Sequence, residues 1–185
     1  MSVTQYYTAT ALDGYIADPN HSLDWLFTRN QDREGLLNYA EFIADVGAVA
    51  MGSTTYEWII EHDFADKDPS EWKWPYEQPC WVFTSRELQL VPNADITFVG
   101  GDVAPVHAEM VRAAAGKNVW IVGGGDLVGQ FADAGLLDEV IVYVAPVTLG
   151  AGAPLLARRV ELKLEETGRN GDFIAARYSV VREPA

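Results

Sequence analysis

The stretch VWIVGGGDLVGQF, residues 119–131, runs from a strand pattern through three glycines into a helix pattern. Its first four residues are apolar and β-branched or aromatic, as in a strand that is covered on both faces. Apolar residues recur at helical spacing from position 127 onward. Because each glycine costs conformational entropy to order, two explanations stay open: a ligand approaches this backbone, or the glycines make a tight turn without one.

The same alternation of strand and helix patterns extends over the whole chain. Strand patterns occupy residues 3–11, 46–51, 81–84, 96–99, 119–122, 140–145, 160–167 and 173–181. Helix patterns occupy residues 31–44, 54–62, 104–115 and 126–134. This order predicts a three-layer αβα fold of the α/β class, with a mixed, mostly parallel sheet of eight strands. The last two strands, joined by GRNGD, are expected to form an antiparallel hairpin at the edge of that sheet.

Composition limits the classes of function. A chain of 185 residues with 49% hydrophobic residues predicts one domain over residues 1–185. A formal net charge of −14 argues against nucleic acid and anionic membranes as partners. The first residues show no targeting pattern and no apolar run is long enough to span a membrane, so we expect a cytoplasmic protein. The single cysteine, Cys80, argues against a disulfide framework or a multi-cysteine metal site, and we expect a buried thiol.

Ligands of open α/β sheets bind beyond the carboxyl ends of the strands. Gly52, Ser53, Thr54 and Thr55 follow the strand at 46–51, at the start of a helix pattern. Their hydroxyls can cap the helix or donate to a phosphate. A third strand end carries Thr84, Ser85 and Arg86, the last of which supplies a positive charge. With the glycines at 123–125, these three ends suit an elongated phosphorylated ligand such as a dinucleotide, held by N–H groups at helix N-termini.

Five segments together resemble one known family. They are TATALDGYIAD (8–18), MGSTTYE (51–57), VFTSRE (82–87), VWIVGGGDLVGQF (119–131) and DEVIVYVAPVTLGAGAPLL (138–156). The chain resembles the dihydrofolate reductase-like superfamily, and most closely stand-alone relatives of the C-terminal reductase domain of the riboflavin-biosynthesis deaminase-reductase. This resemblance implies an NADPH-dependent reductase of a small heterocyclic substrate, riboflavin-pathway or pterin-like, and a homodimer. The zinc motif of the deaminase half is absent from the sequence.

The resemblance also implies which residues bind the coenzyme. The nicotinamide would contact Ala9, Ile16 and Ala17. The adenosine side would contact Gly52, Ser53, Thr54 and Thr55, with Thr84, Ser85 and Arg86 around the 2′-phosphate. The pyrophosphate and the nicotinamide ribose would contact Val122, Gly123, Gly124, Gly125, Asp126 and Leu127. Two departures from folate reductases bear on this: Ser53 stands where a basic residue is usual, and Asp126 stands where an arginine is often found.

A reductase also needs a proton donor and a substrate pocket. Asp32, at the start of the helix predicted at 31–44, is the first candidate for the donor, although a solvated first-turn acid is an equal explanation. Asp13 is a second candidate, or else only part of an Asp-Gly turn. By resemblance, Trp25, Pro146 and Leu149 would contact the substrate. An alternative for the whole chain is a non-catalytic nucleotide-binding module of the same fold.

Overall fold

The computed structural model describes residues 2–182. The strands are β1 Thr4–Ala11, β2 Tyr15–Ala17, β3 Val46–Gly52, β4 Cys80–Phe83, β5 Ile96–Val99, β6 Asn118–Gly123, β7 Glu139–Ala145, β8 Ala153–Pro154, β9 Leu162–Asn170 and β10 Phe173–Val180. The helices are α1 Asp24–Phe27, α2 Tyr39–Ala44, α3 Ser53–Phe64, α4 Val103–Ala113 and α5 Gly125–Asp133, with a 3₁₀ turn at Pro69–Glu71. No helix among residues 2–182 is both long and apolar enough to cross a membrane.

Eight of these strands form one mixed sheet in the order β5-β4-β3-β6-β1-β7-β10-β9. The six strands from β5 to β7 run parallel, whereas β10 is antiparallel to both β7 and β9. β9 and β10 are joined by Gly171 and Asp172, and Gly171 has a positive φ of 58°. The predicted fold class, with its antiparallel C-terminal hairpin, is confirmed. The short strands β2 and β8, which the sequence did not predict, pair separately beside the sheet.

Helices cover both faces of the sheet because its central strands are apolar on both sides. On one face, α4 and α5 bury Val106, Met110 and Phe131 against β6 and β3. On the other face, α3 buries Tyr56 and Ile59 against β3 and β4. Successive residues of a strand point to opposite faces, so the run AVAM of β3, residues 48–51, supplies both cores. The three layers leave the carboxyl ends of the neighbouring strands β3 and β6 side by side at one edge of the sheet.

The helix predicted at residues 31–44 is wrong over its first half. The observed α2 begins at Tyr39, because the side chain of Asn38 accepts a hydrogen bond from the N–H of Glu41 (3.0 Å). Residues 31–38 are instead held by Asn170, which is 1% exposed. The Asn170 side chain accepts from the N–H of Asp32 (2.8 Å) and donates to the carbonyls of Asp32 and Leu36 (3.1 Å each). A partner 138 residues away therefore replaces the helical hydrogen bonds that the local pattern predicted.

Tryptophans pack the segment 61–79 against the core, and Cys80 is buried as predicted. Trp72 stacks on Phe64 with ring centroids 5.1 Å apart, and Trp74 packs against Tyr56 at 5.5 Å. Cys80 is buried, and desolvation raises the pKa of its thiol to about 12, so the thiol stays protonated and unreactive at neutral pH.

Candidate functional site

A cavity of about 760 Å³ lies over the carboxyl-end half of the sheet. Residues from β1, β6, β7 and β10 form its floor, and residues from α3, α5 and the segments 16–31 and 153–157 form its sides. This volume lies in the usual range for small-molecule and cofactor sites. The predicted coenzyme-contacting residues that line the cavity are Ala9, Ile16, Ala17, Thr54, Thr55, Val122, Gly123, Gly124, Gly125 and Asp126. The structure therefore brings most of that predicted set together.

The three glycines have different surroundings. A Cβ on Gly125 would overlap the carbonyl oxygen of Pro154 and lie 2.9 Å from that of Leu155, so close packing of two backbones requires this glycine. A Cβ on Gly124 would meet nothing within 4 Å. Gly124 lines the cavity, and its peptide bond to Gly123 is cis. Tight packing therefore accounts for Gly125 without a ligand, whereas Gly124 leaves the backbone open to the cavity, and a ligand at that position stays a prediction.

Two helices begin at this edge of the cavity without side-chain caps. The N-cap residues of α3 and α5 are Gly52 and Gly124, and neither end carries a side-chain hydrogen bond. The first N–H groups of an α-helix have no acceptor within the helix, and the helix dipole adds partial positive charge there. Because β3 and β6 are hydrogen-bonded neighbours, the two ends lie side by side. This arrangement can bind an anion without a basic side chain.

Asp126, in the first turn of α5, is the carboxylate that lines the cavity within residues 2–182. Its carboxylate pairs with the guanidinium of Arg158 (3.0 Å) and accepts a hydrogen bond from Gln130 (3.0 Å). Arg158 also pairs with Asp133 (2.9 Å) and donates to the carbonyl of Ala157 (2.9 Å). Because Arg158 is shared between two carboxylates, it offsets part of the charge of Asp126, and it fastens the segment 153–158 to α5.

The remaining residues that were predicted to contact the coenzyme lie outside the cavity lining. They are Gly52, Ser53, Thr84, Ser85, Arg86 and Leu127. Leu127 is 7% exposed and packs in the core between α5 and the sheet. Arg86 forms a two-bond ion pair with Glu57 (2.6 and 2.9 Å), and both side chains are partly exposed. The sequence missed this pairing because Glu57 lies one helical turn into α3, 29 residues before its partner.

The two predicted catalytic carboxylates also lie outside the cavity lining. Asp13 accepts hydrogen bonds from the N–H groups of Leu149 (3.0 Å) and Gly150 (2.7 Å), and the bond from Gly150 is the main reason that the pKa of its carboxyl is lowered. Asp32 is exposed and accepts a hydrogen bond from the N–H of Glu34 (3.0 Å). It does not begin a helix, because Asn170 holds its backbone in a turn. Asp13 therefore anchors the loop at residues 149–150, and the carboxylate of Asp32 is hydrogen-bonded to the backbone two residues further along the chain.

The residues that were predicted to contact substrate are also outside the lining. Trp25 is half-buried and packs against the hydrophobic core on the α3 side. Pro146 is exposed, and Leu149 belongs to the loop that Asp13 anchors. Three residues further along the chain, Ala153, Pro154 and Ala157, line the cavity instead.

An aromatic part of the cavity was not predicted from the sequence. It consists of Tyr7, Phe27, Tyr39, Trp58, Tyr76, Trp120, Tyr143 and Phe173. Burial raises the pKa values of Tyr7 and Tyr143, and their hydroxyls donate to the carbonyls of Leu37 (3.1 Å) and Leu36 (2.9 Å). The hydroxyls therefore stay neutral at neutral pH, and the aromatic rings offer a flat, largely apolar surface. Alternation along β1 and β7 was the available signal, because Tyr7 and Tyr143 share a face with Ala9.

The fold and the cavity together define an α/β protein of the dihydrofolate reductase-like type. Dihydrofolate reductase from Enterococcus faecalis, solved with NADP(H) and RAB-propyl, matches with a TM-score of 0.54 at 12% identity, over 96% of each chain. A protein from Shewanella sp. PV-4 that is ascribed to riboflavin biosynthesis matches with a TM-score of 0.78 at 23% identity, over 97% of this chain and 99% of the other.

The family follows from sequence comparison. The model of the RibD C-terminal domain matches residues 3–169. The uncharacterized protein YwjB of Bacillus subtilis is 32% identical over 180 residues, which cover 95% of this chain and 96% of YwjB. This chain therefore belongs to the RibD C-terminal domain family.

Proposed function

We propose that this protein is an NADPH-dependent reductase of a small heterocyclic substrate, of the riboflavin-pathway or pterin type. The observation that carries the proposal is the pair of uncapped helix N-termini, α3 and α5, that open on one cavity beside the unobstructed backbone of Gly124. Membership of the RibD C-terminal domain family and the likeness to a reductase solved with NADP(H) support it.

The residues at this edge of the cavity fit a dinucleotide. The open space beside Gly124 leaves room for a pyrophosphate against the main chain, and the N–H groups that begin α5 would donate to it. Arg158 offsets the charge of Asp126, which would otherwise repel a phosphate. Thr54 and Thr55 line the neighbouring side with hydroxyl donors. Ala9, Ile16 and Ala17 present small or apolar surface on the β1 side, where a flat nicotinamide ring would lie.

We propose that Arg86 leaves its ion pair with Glu57 and binds the 2′-phosphate of the coenzyme instead. Its ion pair with Glu57 is between side chains that are 55% and 37% exposed. Exposed ion pairs contribute little to stability, typically about 0–1 kcal/mol, so the exchange costs little. A phosphate dianion at the same guanidinium would gain a charge-assisted, two-bond contact. This exchange would give NADPH an advantage over NADH.

When bound, the coenzyme supplies the hydride of the reduction. The aromatic residues of the cavity would exclude bulk water and hold a flat substrate against that end of the sheet. We propose that the proton comes from water, because Asp126 is ion-paired with Arg158 and neither Asp13 nor Asp32 lines the cavity.

NADPH titration with a Gly124→Ala variant tests the coenzyme site. Gly124 has a φ of −89°, which alanine adopts readily, and its Cβ would touch no protein atom within 4 Å. The variant should therefore fold normally yet bind NADPH at least about fivefold more weakly, because an added methyl group at a close contact costs about 1–3 kcal/mol. Binding can be followed by calorimetry. Wild-type affinity in a folded variant, or no NADPH binding by the wild type at millimolar concentration, would remove the proposal.

Turnover separates the reductase from the alternative of a non-catalytic nucleotide-binding module. A panel of pterins, dihydrofolate and aminouracils, with NADPH oxidation followed at 340 nm, covers the proposed substrate types. Binding of NADPH without consumption of any of them would favour the binding module. Cytoplasmic location and homodimerisation stay predictions, and size-exclusion chromatography with light scattering measures the second.

A further inference from the structure

Arg29 stands out in the cavity because its positive charge has no ion-pair partner within residues 2–182. The residue follows α1, lines the cavity and is half-buried. Its Nε atom is buried and has no hydrogen-bond acceptor within residues 2–182. None of the ion pairs within that range includes it. Partial desolvation of a guanidinium without a hydrogen-bond acceptor lowers the stability of the fold. A ligand that supplies the acceptor would explain why an arginine lies in the cavity.

The position of Arg29, rather than the lack of an ion pair alone, distinguishes it from the other basic residues. The chain carries 27 acidic residues against 13 Lys and Arg, and six of these basic residues form ion pairs within residues 2–182. Among the described lining residues of the cavity, Arg29 is the lone Lys or Arg, and the lining carboxylate, Asp126, pairs with Arg158. The fixed positive charge among these lining residues is therefore confined to Arg29.

The segment that carries Arg29 is fixed far from the glycine triplet. The N–H of Asn30 donates to the carboxylate of Asp172 (2.7 Å), and its carbonyl accepts from the N–H of Asp172 (2.8 Å), at the turn that precedes β10. β10 lies three strands from β6, where the triplet begins. At about 4.8 Å per strand this separation is roughly 14 Å. Arg29 therefore belongs to the end of the cavity that a substrate would occupy, beyond the coenzyme phosphates.

Aromatic groups surround this end of the cavity. Phe173 is the first residue of β10, and Tyr143 of the adjacent β7 also lines the cavity. Gln31, two residues after Arg29, adds a neutral amide. One guanidinium in such surroundings balances one negative charge. A phosphate dianion would leave excess negative charge at a half-buried guanidinium that has no second Lys or Arg beside it among the described lining residues, whereas a carboxylate matches the guanidinium fork in both charge and geometry.

We propose that Arg29 binds a carboxylate group of the substrate, and that the protein therefore selects planar heterocycles that carry a carboxylate. This inference rests on the proposed reductase function for the identity of the site, but the binding preference can be measured without coenzyme. Arg29 is then the residue that determines specificity at the β10 end of the cavity.

Matched ligand pairs test the preference on the full-length protein. Two pairs differ by one carboxylate: pterin-6-carboxylate and pterin, and orotate and uracil. A third pair, uridine monophosphate and uridine, differs by one phosphate. Calorimetry gives each dissociation constant for the wild type and for the variants Arg29→Gln, Arg29→Lys and Arg33→Gln. Arg33 is an exposed arginine of the same segment that does not line the cavity, so it is the control for a general loss of charge.

The wild type should bind at least one carboxylate about tenfold more tightly than its neutral counterpart. Arg29→Gln should reduce the ratio of the two dissociation constants, neutral over carboxylate, to about one. Arg29→Lys should retain part of the preference, and Arg33→Gln should retain all of it. The melting temperature of Arg29→Gln should not fall, because the side chain makes no hydrogen bond or ion pair within the described residues.

Four results would overturn the inference: no measurable binding of either carboxylate probe, equal binding of charged and neutral probes, a preference for the phosphate alone, or a carboxylate preference that survives in Arg29→Gln. A failure of the coenzyme proposal would look different. It would abolish NADPH binding in every variant and leave the carboxylate preference intact.

Discussion

Replacing Gly125 by alanine should destabilise the protein, even though alanine is the better helix former. The Cβ of Gly125→Ala would overlap the carbonyl oxygen of Pro154 and lie 2.9 Å from that of Leu155. These carbonyls cannot move away freely. The N–H of Leu155 donates to the carbonyl of Gly14 (2.8 Å), and Pro154 pairs with Tyr15 of β2. The segment is therefore held between α5 and β2, and one of these contacts must open.

The magnitude follows from two opposing effects. Inserting a methyl group into a tightly packed contact costs about 1–3 kcal/mol. The higher helix propensity of alanine returns at most about 1 kcal/mol, and less at a first-turn position. The net loss is about 1–2 kcal/mol, which for a chain of this size corresponds to a fall in Tm of roughly 2–8 °C.

Urea unfolding followed by circular dichroism measures this loss, and Gly124→Ala is the matched control. The neighbouring glycine has open space at its Cβ position, so its variant should stay within about 0.5 kcal/mol of the wild type. The reasoning fails if Gly125→Ala is as stable as the wild type, because α5 and the 154–155 backbone would then not be in tight contact.

Two further predictions concern the loops beside the cavity. The N–H of Gly150 lowers the pKa of Asp13, so this contact stabilises the fold above about pH 4, the pKa of an unfolded aspartate, and is lost as the pH falls through the lower folded value. Asp13→Asn should therefore flatten the acid side of a plot of Tm against pH, and an unchanged acid side would contradict the anchoring role. Asn170→Ala removes the four hydrogen bonds of a buried side chain, three of them to residues 32 and 36, and should cost about 2–3 kcal/mol in urea unfolding, whereas a loss below about 0.5 kcal/mol would show that residues 31–38 hold their turn without it.

Much of the fold could be predicted from the sequence because the relevant information is local. The strand at 119–122, the glycines after it and the helix pattern beyond them define a strand-to-helix unit from neighbouring residues alone. Repetition of that unit dictates a parallel sheet covered on both faces. The hairpin at the end follows from a turn of Gly171 and Asp172 between two alternating runs. Cavity residues that follow a strand directly, such as Thr54 and Gly124, could be predicted for the same reason.

Tertiary structure alone decided the features that depend on distant partners. Asn170 holds residues 31–38 out of the helix that their own spacing favours, because three hydrogen bonds from a buried amide outweigh a weak local preference. Glu57 pairs with Arg86, and the Pro154 backbone requires glycine at position 125. That the guanidinium of Arg29 lines the cavity without an ion-pair partner within residues 2–182 depends on the tertiary structure, which places its segment against the turn before β10. Sequence determines which residues can form an element, whereas packing between elements determines which of them face the cavity and which side chains keep an unpaired charge there.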